Sequence, residues 1–116
     1  MDPVFQEHDS GRGHPESPLR LETVYRRLET SPVTARFTAL DYQPASVADL
    51  ALAHEEAYIA SVERFCRELS GRIEADTHVG RRSFEVAAKA AGAAMAATDA
   101  VLSGEVPRAL VLARPP

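Results

Sequence analysis

Tryptophan is missing from this 116-residue chain, and aromatic residues of all kinds make up only 6% of it. Large aromatic anchors therefore contribute little to any core it builds. There is one cysteine, Cys66, which excludes an internal disulfide and fits a reducing compartment. Lysine is nearly absent, the formal charge is −4, and the arginines are spread over several segments. That balance speaks against nucleic acid, which calls for a basic stripe. The longest apolar stretch, around residues 90–97, is mostly alanine and too weak to span a membrane. No charged–apolar–small signal pattern opens the chain, so the expected setting is the cytoplasm, with no nucleic acid and no membrane as partners. What is present is 45% hydrophobic and 26% charged, the composition of one ordinary globular domain.

Residues 1–17 carry two prolines and two glycines and read as an irregular loop, with a remnant of strand near Val4 and Phe5. Ser17 before Pro18 is a helix start, with a side-chain acceptor at N-cap and a proline at N1, where its missing N–H costs nothing. Leu21, Val24, Tyr25 and Leu28 then give the apolar face of a helix to about Thr30, which Ser31-Pro32 ends. Ser46 and Asp49 resemble a capping box at the start of a short helix through Leu52. A longer helix runs through Tyr58, Ile59, Val62, Phe65, Cys66 and Leu69, with Gly71 suited to its C′ position. "RIEADTHVGRR" reads as a polar loop. Ser83 is placed to cap a last helix from about Phe84 to Ser103, closed by Gly104.

That helix carries Glu85, Lys89 and Asp99, with Gly92 and Ala96 between them, as one narrow polar stripe. The rest is apolar, which predicts burial of residues 88–97 on more than one side. "ALVLARPP" reads as a terminal strand, Ala109–Ala113, running into a loop. The coarse expectation is a mostly helical chain of about four helices and one terminal β-strand.

Residue chemistry alone yields no convincing catalytic residue and no metal site. His8, His14, His54 and His78 lack the paired spacings zinc sites favour. Asp76-Thr77-His78 is an Asp-x-His unit, but loop hydrogen bonding is the plainer reading. Cys66 lies on an apolar face beside Phe65 and Leu69, where a free thiol packs as a small hydrophobe. Glu55-Glu56 suits the first turn of a helix.

Linked motifs do carry a resemblance. His8, Asp9, Gly11, Gly13, His14, Pro15, Glu16, Pro18, Arg20 and Leu21 follow the order of a His-Asp, a Gly-rich bend, His-Pro-Glu-x-Pro and Arg-Leu. With "LALAHEEAYIASVERFC", "DTHVGRRSFEVAAKAAGAAMAATDAVLSGE" and "ALVLARPP", this pattern resembles the opening of the zinc-dependent histone deacetylase family, including the deacetylase-like amidohydrolases. The resemblance implies an α/β class, the arginase/deacetylase three-layer fold, of which residues 1–116 form a single partial domain. It places Met1 where the family's first core strand would be finishing.

In that family Arg-Pro-Pro runs into Gly-His-His-Ala, and the zinc ligands and transition-state tyrosine come later still. The resemblance thus implies a truncated relative of zinc enzymes that hydrolyse acetyl-lysine or acetylpolyamine amides, with no cofactor held by this chain and no activity alone. Residues 11–16 would form the mouth of the acyl-lysine tunnel, with Gly13, His14, Pro15 and Glu16 at its rim and Arg20 beneath its floor. The alternative is a non-enzymatic helical module. On either reading, a second copy or another partner is expected to cover the terminal strand and the Ala-rich helix.

Overall fold

In the computed structural model, which describes residues 2–8, 10–11 and 13–115, short polar signals open the first two of the α-helices. Ser17 accepts the Leu19 N–H at 3.2 Å, Pro18 occupies N1, and α1 runs Pro18–Glu29 with Thr30 as its C-cap. A 3₁₀ turn, Pro32–Arg36, follows, capped by Ser31. The capping box is formed as expected. Ser46 Oγ accepts the Asp49 N–H at 3.1 Å, while Asp49 accepts the Ser46 N–H at 2.8 Å, opening α2 (Val47–Leu50). Then come α3 (Glu56–Glu68), β1 (Gly71–Glu74), β2 (Thr77–Val79) and α4 (Ser83–Leu102).

Among the described residues, four α-helices and a mostly helical makeup agree with the sequence, but the strands lie elsewhere. The segment expected as a polar loop forms an antiparallel hairpin, pairing Gly71 with Val79, Arg72 with His78 and Glu74 with Thr77, with an irregularity between Arg72 and Glu74. Ile73, Thr77 and Val79 are β-branched, and two residues suffice to turn between strands. Residues 109–113, expected as a strand, have no regular structure. Among the described residues no strand runs beside them, and a strand without a ladder partner is not stable. Near the start of the chain, Pro3–Gln6 is a 3₁₀ turn rather than a strand remnant, because Asp2 accepts the Val4 N–H at 2.9 Å.

Two helix ends also differ from expectation. Ser70, not Gly71, is the first residue past α3 with positive φ (50°), donating its N–H to the Phe65 carbonyl at 2.8 Å. Ser83 begins α4 rather than capping it, and its hydroxyl is engaged elsewhere. Gly104 closes the helix at φ 80° as its position suggests.

The core lies where the two ends of the described chain meet. Val4, Phe5, Leu21, Tyr25 and Val86 are buried together, with Tyr42, Ala90, Ala93, Leu112 and Ala113 packed against them. Tyr42 stacks on Phe5 at 6.3 Å between ring centroids and donates its O–H to Asp2 at 2.6 Å. That bond holds the Asp2 carboxyl below its usual range, and burial pushes the Tyr42 phenol up. Tyr25 donates to the Leu112 carbonyl at 3.0 Å, which fastens the irregular terminal segment to α1.

The Ala-rich helix is only partly covered. Val86, Ala88, Gly92, Ala97 and Ala100 are buried, whereas Ala94 and Met95 are exposed. Gly92, assigned to a polar stripe by its spacing, instead faces the backbone of residues 43–45, which crosses α4 there.

Candidate functional site

The loop between Phe5 and Ser17 has little apolar substance of its own. Gly11 (φ 91°) and Gly13 (φ 78°) give it left-handed bends that other residues resist. Its shape is set by polar contacts converging on one arginine from the far end of the sequence. Arg114 is only 4% exposed, and each of its five N–H groups has an acceptor. Nε donates to Glu16 Oε1 at 2.5 Å. Nη2 donates to Glu16 Oε2 at 2.6 Å and to Ser10 Oγ at 3.4 Å. Nη1 donates to the carbonyls of Phe5 at 3.3 Å and His8 at 3.1 Å. A bidentate fork of this kind is the strong form of a charged hydrogen bond.

A buried histidine completes the cluster. Ser10 donates its hydroxyl to Glu16 at 2.6 Å, so toward His8 Nε2, 3.3 Å away, it acts as acceptor. His8 therefore carries a proton on Nε2. Its Nδ1 meets Ser83 Oγ at 2.8 Å, and that same oxygen accepts the Gly80 N–H at 2.8 Å. In the neutral ring Nδ1 accepts the Ser83 O–H, and every described member of the network is satisfied. On the outer side, His14 Nδ1 accepts the Glu16 N–H at 3.1 Å. Its Nε2–H consequently points to Asp76 Oδ1, also at 3.1 Å, at the tip of the β1–β2 hairpin. The loop is thus held from within by Arg114 and from without by the hairpin.

The four residues expected at a tunnel rim share this loop: Glu16 is clamped, His14 is half-buried, and Gly13 and Pro15 are exposed. Arg20 is exposed on α1, outside the polar cluster. Asp9 of the family motif lies outside the described residues. Arg114, His8 and Ser83 were missed as members of a site. The available signal was an arginine at the edge of an apolar segment, a setting in which a charge must find a partner.

The residues present do not fit zinc. Among the described residues no three His, Cys, Asp or Glu side chains are grouped to hold a metal. Both ring nitrogens of His8 and of His14 already meet protein partners. Cys66 is buried on α3, and that burial pushes its thiol up, away from the reactive thiolate.

The Arg114 guanidinium, reinforced by Ser10, holds the Glu16 carboxyl down to about 2 from an ordinary 4.5. A carboxyl whose folded value is depressed stabilises the fold fully above its unfolded value. That contribution is lost as pH falls through the folded one. Acid should therefore remove on the order of 2–3 kcal/mol between roughly pH 5 and pH 2, after allowance for partial screening. Asp2, also depressed, acts in the same direction. Denaturant titrations across that range should show a shallower acid limb in a Glu16→Gln variant. Superimposable limbs would remove Glu16 as its source.

The profile of the histone deacetylase domain matches residues 14–116. A histone deacetylase-like amidohydrolase of Pseudomonas aeruginosa is 38% identical over 104 residues, covering 90% of this chain and 27% of that protein. A probable deacetylase of Archaeoglobus fulgidus is 31% identical, covering 97% of this chain and 32% of its own length. A human polyamine deacetylase is 33% identical, with 87% of this chain matched to 16% of the longer protein. The chain thus spans a third or less of the length of these curated relatives.

Proposed function

Because this chain belongs to the histone deacetylase family, we propose that it forms the entrance wall of an acyl-amide hydrolase and does not complete the reaction by itself. The observation carrying this reading is the Glu16–Arg114 pair. It joins "HPESP" and "ARPP", two motifs of the family pattern that lie 98 residues apart. Held so, residues 11–16 would line the mouth through which an acetyl-lysine or acetylpolyamine chain enters. His14 and Glu16 would keep that mouth in one shape. Amide hydrolysis needs an activated water, a base and an oxyanion stabiliser. In the full-length family a bound zinc supplies the first of these. On this reading zinc and its ligands belong to the remainder of a whole deacetylase, and these residues supply shape and exclude water. The setting would be cytoplasmic.

Zinc-supplemented chain incubated with acetyl-lysine peptides and with acetylated polyamines should show no turnover. Sustained turnover above a metal-stripped control would overturn the proposal.

The exposed apolar side chains support a second reading, as an association module. Leu102 is 80% exposed and Leu19 67% exposed, and Leu69 and Leu110 are similarly uncovered. A few hundred Å² of such surface is worth several kcal/mol at about 25 cal/mol per Å². Light scattering at micromolar concentrations should then report a dimer or larger. A monodisperse monomer that binds no hydrophobic dye would exclude this module.

A further inference from the structure

The acceptors on Arg114 lie on both sides of the bend at Gly11 and Gly13. Phe5, His8 and Ser10 precede it and Glu16 follows it. The donor sits on a segment, residues 106–115, with neither helix nor strand to hold it, fastened also through Leu112 to Tyr25. Each piece has only lesser holds of its own: the loop through His8 on Ser83 and His14 on Asp76, the segment through Leu112 on Tyr25. Release of the loop would strip a buried guanidinium of all five acceptors. The side chain would then have to leave for water, drawing Leu112 and Ala113 from the core. Release of the segment would leave the Glu16 carboxylate with the Ser10 hydroxyl and, at 3.7 Å, His8 Nε2 but no guanidinium, and the Phe5 and His8 carbonyls without the Arg114 donor.

We propose that Arg114 is a positioning residue that makes the seating of residues 106–115 and the shape of residues 8–16 a single two-state element. The loop is ordered only while the segment is docked, and the segment is docked only while the loop is ordered. This rests on the proposed function solely in regarding the loop as a tunnel mouth, and the coupling is read without any activity measurement. Charge alone does not account for it. A lysine ammonium carries three donors on one atom and cannot address a carboxylate, two carbonyls and a hydroxyl in the planar pattern that the guanidinium satisfies.

Amide hydrogen exchange on the whole chain tests the coupling, comparing the parent with Arg114→Gln, Arg114→Lys and Glu16→Gln. Both glutamine variants should speed exchange in residues 8–17 and in 108–114 together. The expected factor is about tenfold or more, as for loss of a charge-assisted hydrogen bond, with α3 unchanged as the internal reference. Arg114→Lys should fail to restore protection to either stretch. If one stretch loosens while the other keeps its protection, the two are independent and the proposal fails. Parent-like protection in Arg114→Lys would show that charge suffices and that the five-donor geometry is not the cause. Should Arg114→Gln fail to fold, Glu16→Gln decides alone. It alters only the loop side of the pair, so unchanged exchange in 108–114 would refute the coupling.

Discussion

Replacing Gly92 by alanine is expected to destabilise the protein by about 3 kcal/mol, the upper end of what overpacking costs. A fall of roughly 10–20 °C in melting temperature should accompany it. The sign is what makes the substitution informative. In an ordinary helix interior alanine is favoured over glycine by up to about 1 kcal/mol. Here a Cβ on residue 92 would stand 1.9 Å from the Gln43 carbonyl oxygen and 2.8 Å from the Ala45 nitrogen. Both obstacles are backbone, so no side-chain rotation relieves them. The 43–45 segment would have to lift from α4, breaking the 2.9 Å hydrogen bond from the Ala45 N–H to the Ala88 carbonyl. Tyr42, one residue earlier, would lose its stacking on Phe5. Ala94→Leu, on an exposed position of the same helix, should stay within about 0.5 kcal/mol of the parent. Thermal melts of the two variants check both statements. A Gly92→Ala protein melting with the parent would mean that the 43–45 crossing does not form.

Arg114→Met should be comparably damaging, by about 3 kcal/mol, because it leaves the half-buried Glu16 carboxylate without its countercharge. Removing the carboxylate as well, in Arg114→Met with Glu16→Met, should recover part of that loss, since an apolar pair of similar volume avoids the stranded charge. Recovery should remain incomplete, because the Phe5 and His8 carbonyls still lack the donor that Arg114 provided. Urea denaturation of the parent, the single and the double variants gives the comparison. A double variant less stable than the single one would show that the pair is not the chief contribution of Arg114. At pH 2–3 the single variant should lose much of its disadvantage, as the unpaired carboxyl becomes neutral.

Local signals were legible in the sequence wherever a short-range rule decides the outcome. Ser17-Pro18 opening α1, Ser46 with Asp49 opening α2 and Gly104 closing α4 each depend on residues a few positions apart. The hairpin was harder, since Arg72, Glu74 and Asp76 give "RIEADTHV" the look of a solvated loop while its strands are only four and three residues long. Ser83 precedes an apolar run as a cap would, but a hydroxyl shared by Gly80 and His8 cannot be inferred from spacing. Residues 109–113 have the composition of a buried strand, and only the absence of a neighbouring ladder among the described residues decides otherwise. The motif resemblance marked Glu16 and the "ARPP" ending separately. That they touch is a fact of three-dimensional closure, which neither composition nor periodicity encodes. Gly92 went unread for the same reason: its spacing put it on a stripe, and its partner is backbone from another segment.

The Phe5–Arg114 contact spans 109 positions of the chain, and this has a consequence for biogenesis. Closing so long a loop carries an entropy cost that grows only logarithmically with length, so the separation is thermodynamically tolerable. Kinetically it orders events. At roughly 5–20 residues per second, Phe5 is synthesised on the order of ten seconds before the arginine that accepts its place in the core. Through that interval α1, α2 and the hairpin can form by local rules, while Val4, Phe5, Leu21 and Tyr25 wait without Leu112 and Ala113. Nascent chains paused at residue 105 should therefore be cut readily by protease within residues 2–25, and chains paused with residue 115 clear of the ribosome should resist.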